Sequence, residues 1–256
     1  MSEELYSKWI EREKDLIEKI KSSQSANIEK AAQIAADSIT DNHVMFMFGS
    51  GHSIIPIEEI YPRYGGIVGF MPINDLPLSF FTQIVGNLGF SQFNYLENNA
   101  AYADSIIENY KIHRQDSLLI FSHSGSTPVT MEIAIKFKEM GGKVVGVTSL
   151  HRCLNSKSKH PSGKNFTDVC DVIIDTSVPD SDVAIEINGV GLGPLSSIGV
   201  LTIANLLSIG TYSDLVRRGV SPLVNPVRAF DIDADSKMHA VIEKYRELYS
   251  AHISGK

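Results

Sequence analysis

The amino-acid sequence predicts an α/β fold with a mostly parallel sheet and helices on both of its faces. Three observations carry this prediction: five apolar runs of strand length, helical stretches lying between them, and Gly/Ser-rich turns where two of the runs stop.

From Glu3 to about Ile39 the pattern is helical, with Leu5, Trp9, Ile10, Leu16, Ile17 and Ile20 recurring every three or four residues among charges. Ser22 to Ser25 read as a break, with a second helix from Asn27 to Ile39. Residues 1–40 are thus read as an N-terminal helical arm, for which a subunit interface and a purely intramolecular role both stay open. The first strand is Val44 to Phe48, a continuous apolar run that stops at Gly49, as a strand buried on both faces does. Gly66 to Met71, Ser117 to Phe121, Lys143 to Thr148 and Asp171 to Asp175 repeat that signal. Helices are expected at Asn98 to Tyr110 and at Pro128 to Met140, the latter closed by Gly141 and Gly142. Right-handed crossovers make such a sheet parallel, and ligands of open α/β sheets sit at the carboxyl ends of the strands. Gly193 to Ile209 reads as a nearly all-apolar helix, too interrupted by Gly and Ser for a membrane span, which Asp214 to Arg218 extend before Gly219 and Pro222 stop it. Residues 221–256 form a C-terminal loop and an amphipathic helix, Asp235 to Tyr249. No internal repeat is visible.

With 256 residues the chain suits one large domain, here residues 41–220, plus extensions. The net charge of -7 argues against nucleic acid or an anionic membrane as partner. The charged N-terminus has no signal-peptide core and no apolar run reaches bilayer length. Cys153 and Cys170 show neither a CxxC pair nor zinc spacing, so reduced thiols in a cytoplasmic protein are expected, with no structural metal.

Function concentrates in two loops. Gly49, Ser50, Gly51, His52 and Ser53 follow the first strand; glycines there let the backbone approach a ligand, although such a turn alone is common. Ser122, His123, Ser124, Gly125, Ser126 and Thr127 follow the SLLIF strand, with Pro128 at a first helical position. One hydroxyl suffices for an N-cap, whereas this loop supplies four, a pattern that suits phosphate oxygens at a helix N-terminus.

The run SHSGST resembles the SxSGxT signature of the sugar isomerase (SIS) fold, and GSGHS resembles that family's first loop. The likeness runs through KVVGVTS, DVIID and the helix after Gly193, over about residues 40 to 220. With EEIYPRYGG and HPSGK, the chain resembles a group of stand-alone bacterial SIS proteins described as phosphosugar isomerases. The resemblance implies a three-layer α/β/α sandwich on a five-stranded parallel, flavodoxin-like sheet. It also implies a homodimer or homotetramer and a phosphorylated sugar as ligand. By the same resemblance, Ser122, Ser124, Ser126 and Thr127 would contact the phosphate, and Ser50 and Ser53 would face the sugar.

Aldose–ketose interconversion needs a base to move a proton between adjacent carbons and an acid for ring opening. Glu58 and Glu59 follow the first loop on a helix, about 100° apart, so one of them can face the sugar. Glu59 is the preferred candidate, and a solvated glutamate pair is the competing reading. His52 and His123 sit inside the loops, where each could donate to a hydroxyl or act as acid or base, against the reading of plain polar turn residues. Glu97 suits the cap of a following helix. In the stretch KSKHPSGK, His160 and Lys164 could close over an anion, or the segment is an exposed connection. An acidic metal site at Asp180, Asp182 and Glu186 lacks accompanying ligand-spaced histidines. The pattern departs from phosphosugar isomerases of this fold in two places. Gly193 to Ile209 contains no histidine, and the position corresponding to their catalytic glutamate is Arg63. An enzyme acting on a sugar or aminosugar phosphate, as isomerase, deaminase or lyase, is therefore expected, with a non-catalytic phosphosugar sensor as the alternative. A nucleotide cofactor is not expected, because a P-loop lysine and a GxGxxG fingerprint are both missing.

Overall fold

A computed structural model of the chain describes residues 2–80 and 89–254. In chain order it contains α1 (Ser2–Thr40), β1 (Met45–Gly49), a short 3₁₀ turn (Gly51–Ile54), α2 (Ile55–Ile60), β2 (Phe70–Pro72), α3 (Leu76–Ser79), α4 (Gly89–Glu97), α5 (Tyr102–Ile107) and β3 (Ser117–Phe121). There follow α6 (Pro128–Glu139), β4 (Lys143–Thr148), α7 (Leu150–Asn155), α8 (Phe166–Val169), β5 (Val172–Asp175), the β6–β7 hairpin (Ile185–Ile187 and Val190–Leu192), α9 (Ser196–Arg217) and α10 (Ala234–His252).

The main sheet has the order β2-β1-β3-β4-β5 and every pair in it is parallel. This is the flavodoxin-like order, in which the chain reverses its direction of travel between β1 and β3. Alternate strand residues enter two separate cores, because successive side chains point to opposite faces of the sheet. Met45, Met47, Leu119, Val145 and Ile174 pack with α1 and α9, whereas Phe46, Phe48, Leu118, Ile120 and Val144 pack with α6 and α10. Two apolar faces explain why these strands read as unbroken hydrophobic runs.

Two expectations are corrected. Ser22 to Ser25 do not interrupt the first helix: the hydroxyls of Ser22 and Ser23 donate to the carbonyl of Lys19, and that of Ser25 to Lys21, so each polar group is satisfied inside the helix. Gln24 between them turns inward and accepts from the Asp175 amide at 3.0 Å. The helix packs on the sheet, since Leu16, Ile20, Ile28, Ala31 and Ala35 are core residues. The span expected at Asn98 to Tyr110 is helical only over α5. The apolar α9 has the length and composition of a membrane span, yet its Ile203, Ala204, Leu207 and Leu215 are buried in the core it shares with α1.

Candidate functional site

Strands β1 and β3 flank the reversal point of the sheet, and their carboxyl ends carry the two Gly/Ser loops. Their chain connections depart to opposite faces there, which leaves a crevice between the loops. A cleft of about 360 Å³ occupies it. Ser50, His52 and Ser53 line it from the first loop, Ser122 and His123 from the second, and Thr176 and Asp182 from beyond β5. Pro194, Ser196, Ser197 and Val200 close the far wall at the start of α9.

Each loop is held by local geometry. Gly49 sits where an added Cβ would meet the Ser53 carbonyl oxygen at 2.3 Å, and the Ser53 amide donates to the Ser50 carbonyl at 3.1 Å, closing a tight turn. Gly51 and Gly125 both have positive φ, near +59° and +58°. In the second loop the amides of Gly125 and Ser126 donate to the hydroxyls of Ser122 and Ser124, at 3.2 and 3.3 Å. Those two hydroxyls each lie 3.5 Å from the Thr127 hydroxyl, which draws three of the four into one cluster. Ser126 is buried.

Thr127 is the N-cap residue of α6, but its side chain makes no capping hydrogen bond. The first-turn amides of α6 therefore keep the unsatisfied character that draws anions to helix N-termini. The capping explanation for the hydroxyl-rich loop fails on that geometry.

The candidates for chemistry divide. His123 lines the cleft, and burial pushes its imidazole below the ordinary histidine pKa against the opposing pull of Asp182. Its Nε2 is buried and has no hydrogen-bond partner among the described residues. His52 also lines the cleft and is exposed. Glu58 is exposed, and Glu59 turns to Arg63 at 2.8 Å and to Asn205 of α9 at 3.3 Å; neither glutamate lines the cleft. Arg63 thus serves as the ion-pair partner of Glu59. Lys164 is exposed and does not line the cleft, although its carbonyl accepts from Ser158. The loop before it is fastened rather than free, because His160 is buried between Ser162 at 2.7 Å and Glu132 of α6 at 2.8 Å.

Two acids have roles that sequence reasoning missed. Glu97 does not cap a following helix; it ends α4, and its carboxylate accepts from the Ser50 hydroxyl at 3.3 Å. Burial raises its pKa, more than Ser50 and the nearby Lys159 lower it. Asp182 accepts from the amides of Leu195 and Ser196 and from the Ser196 hydroxyl, at 2.7 to 2.9 Å, and so fixes the start of α9 on the cleft wall. Asp180 instead pairs with His151, and Glu186 is exposed on β6, so the three acids do not converge. A second cavity of about 660 Å³, lined by α9 and residues 221–231, is larger but touches neither loop.

The SIS domain family model matches residues 8–149. A UPF0309 protein of Caldanaerobacter subterraneus is 31% identical over 237 residues, which cover 90% of this chain and 93% of that protein. Among solved structures, phosphoheptose isomerase from Neisseria gonorrhoeae matches with a TM-score of 0.53 at 11% identity, over 83% of this chain and all (100%) of that one. The Vibrio vulnificus NanR protein complexed with ManNAc-6P matches with a TM-score of 0.51 at 12% identity, over 96% of this chain and 71% of that one.

Proposed function

The chain belongs to the SIS domain family, and on that premise we propose that its cleft binds a phosphorylated sugar and that the protein isomerises, or otherwise processes, a sugar or aminosugar phosphate. One observation carries the reading: the hydroxyls of Ser122, Ser124 and Thr127 cluster at an uncapped N-terminus of a 12-residue helix, at the reversal point of the sheet. Hydroxyls and orphan amides there can surround phosphate oxygens, and the cleft beside them has room for the sugar. The two solved neighbours share only the fold at their identities, so the loop rather than the likeness supports the ligand.

Within this reading Ser122, Ser124, Ser126 and Thr127 hold the phosphate, and Ser50 and Ser53 face the sugar. Moving a proton between adjacent carbons requires an unprotonated base with a free acceptor atom. Burial of His123 favours its neutral form and its Nε2 has no partner among the described residues, which makes it the proposed base. Glu97, reached through Ser50 and holding its proton more firmly than an ordinary glutamate, is the proposed acid for ring opening. Glu58 and Glu59 are assigned no step, and His52 is left as a donor to a sugar hydroxyl. A homo-oligomer is part of the proposal, and light scattering on the purified protein measures it.

A thermal-shift screen of hexose, hexosamine, N-acetylhexosamine, muramic-acid and heptose phosphates beside their free sugars tests the binding step, since selective binding to the native state raises its stability. Stabilisation by one phosphosugar and not by its free sugar is expected, and no shift with any of them would sink the reading. Ser124→Ala should weaken that ligand about 10- to 100-fold, the loss of one hydrogen bond to a charged group. With the ligand known, His123→Ala and Glu97→Gln should each lower turnover by about 100-fold or more while largely keeping binding. Binding without any turnover in the wild type would leave a phosphosugar-binding protein.

A further inference from the structure

At the amino ends of the strands, on the side of the sheet away from the cleft, three of the chain's eight histidines gather round one carboxylate. Asp116 precedes β3 and is 1% exposed, His43 precedes β1, and His252 ends α10 at 1% exposed. The Asp116 Oδ1 lies 3.1 Å from His43 Nδ1 and 3.1 Å from His252 Nε2, and these three atoms all fall within 4.8 Å of one another. The ring of His113 stands edge-on to both other imidazoles, its centroid 5.3 Å from each.

The Leu248 carbonyl fixes the tautomer of His252. His252 Nδ1 lies 2.8 Å from the carbonyl of Leu248, which can only accept, so Nδ1 carries the hydrogen. A neutral ring then turns its Nε2 lone pair toward a carboxylate oxygen at hydrogen-bond distance, in the protein interior. Two lone pairs facing each other there require a positive charge between them. A proton on Nε2 supplies that charge to His252, and His43 can donate from Nδ1 without one; two ring nitrogens converging on one oxygen, with a third imidazole against both, is also the arrangement that holds a metal ion.

We propose that His43, Asp116 and His252 form a site for a zinc-class divalent cation, with His113 as the side chain that a rotation brings to the fourth position. Two imidazole nitrogens and a carboxylate oxygen are a donor set typical of such ions. The supporting contacts that orient metal ligands are present. The Leu248 carbonyl sets the His252 tautomer, and the amides of Val44 and His113 hold Asp116 at 3.1 and 2.7 Å. The three ligands come from the starts of two neighbouring strands and the last turn of the last helix, so the ion locks the C-terminal helix to the amino end of the sheet. Lys111, whose amide donates to the His252 carbonyl at 2.7 Å, and Ser254, whose amide donates to Asn109 at 2.9 Å, already hold the same end.

The test is zinc binding to the full chain after chelator treatment. Zn²⁺ alone should bind at one equivalent and raise the Tm, and Co²⁺ in its place should give the visible absorption of a tetrahedral site. Substituting buried Asp116 or His252 risks unfolding the chain, so the variant is His43→Ala, whose side chain is partly exposed. It should fold and lose at least about 10-fold in metal affinity. The variant with His52→Ala and His123→Ala should keep the metal, which separates this site from the cleft. Absence of zinc binding by the wild type, or equal binding by His43→Ala, would overturn the proposal and leave a proton as the charge in the cluster.

Discussion

Gly125→Ala is expected to lose about 2–5 kcal/mol of stability and to abolish the response to a phosphosugar. The residue has φ +58°, and an added Cβ would stand 2.7 Å from Cys153 Sγ, 3.0 Å from Thr148 Oγ1 and 3.3 Å from Phe166 Cβ. The left-handed conformation costs about 1–2 kcal/mol for a residue with a side chain. Overpacking a buried site costs about 1–3 kcal/mol more. The neighbours have little room to yield: Cys153 and Phe166 are fully buried, and the Phe166 amide donates to the Gly125 carbonyl at 2.9 Å. Relief must therefore come from the loop itself, which moves the hydroxyls that its geometry gathers. Urea unfolding reads the stability and thermal shift reads the ligand. Gly163→Ala is the comparison, with positive φ but nothing within 4 Å of an added Cβ, and it should cost only the backbone part. If Gly125→Ala behaved like Gly163→Ala, the loop would be softer than this packing allows.

Glu13 should make the protein less stable as pH rises from about 5 to 8. It lies on α1, is 6% exposed, and both of its carboxylate oxygens are buried with no hydrogen-bond partner among the described residues. Burial, and then the negative charge of Asp182, push its pKa from 4.5 up to about 7. Between those two values the folded chain holds the proton more firmly than the unfolded chain. Stability is therefore full below about pH 4.5 and falls until the group ionises in both states. One pKa unit corresponds to about 1.4 kcal/mol, so the loss is on the order of 1–3 kcal/mol. Glu13→Gln removes the charge and should flatten the profile, which leaves the variant more stable than wild type at pH 8. Urea midpoints at pH 5, 6, 7 and 8 measure this, and parallel profiles would mean that Glu13 ionises at no cost. Because Asp182 also lines the cleft, the same substitution reports whether charge behind the wall of the cleft affects ligand binding.

The strands were legible because burial on two faces writes itself into each as a continuous apolar run, and the crossover rules then leave few arrangements of five of them. The two loops were legible for a related reason. A ligand loop on a parallel sheet follows its own strand, so SHSGST carries strand end, hydroxyls and helix start in one segment. The β6–β7 hairpin was missed although a signal for it existed: Asn188 and Gly189, with φ 52° and 78°, form the turn that Asn-Gly favours between two strands. The serine break in α1 was misread because a serine in a helix interior can return its hydroxyl to a carbonyl one turn back, and sequence does not show that it has done so.

The sequence by itself determined the α/β class, the order of the layers and the two loops at the carboxyl ends of β1 and β3, since each depends on residues adjacent in the chain. Tertiary structure alone decided that Asp182 lines the cleft and that Glu97 meets only a residue lining it. Glu59 turned to Asn205 on another helix, while Glu97 met Ser50 across 47 positions and Asp182 came to fix the start of α9. It also brought His252 to Asp116 across 136 positions. Side-chain pairings of this kind depend on how distant helices dock on the sheet, which local periodicity does not encode.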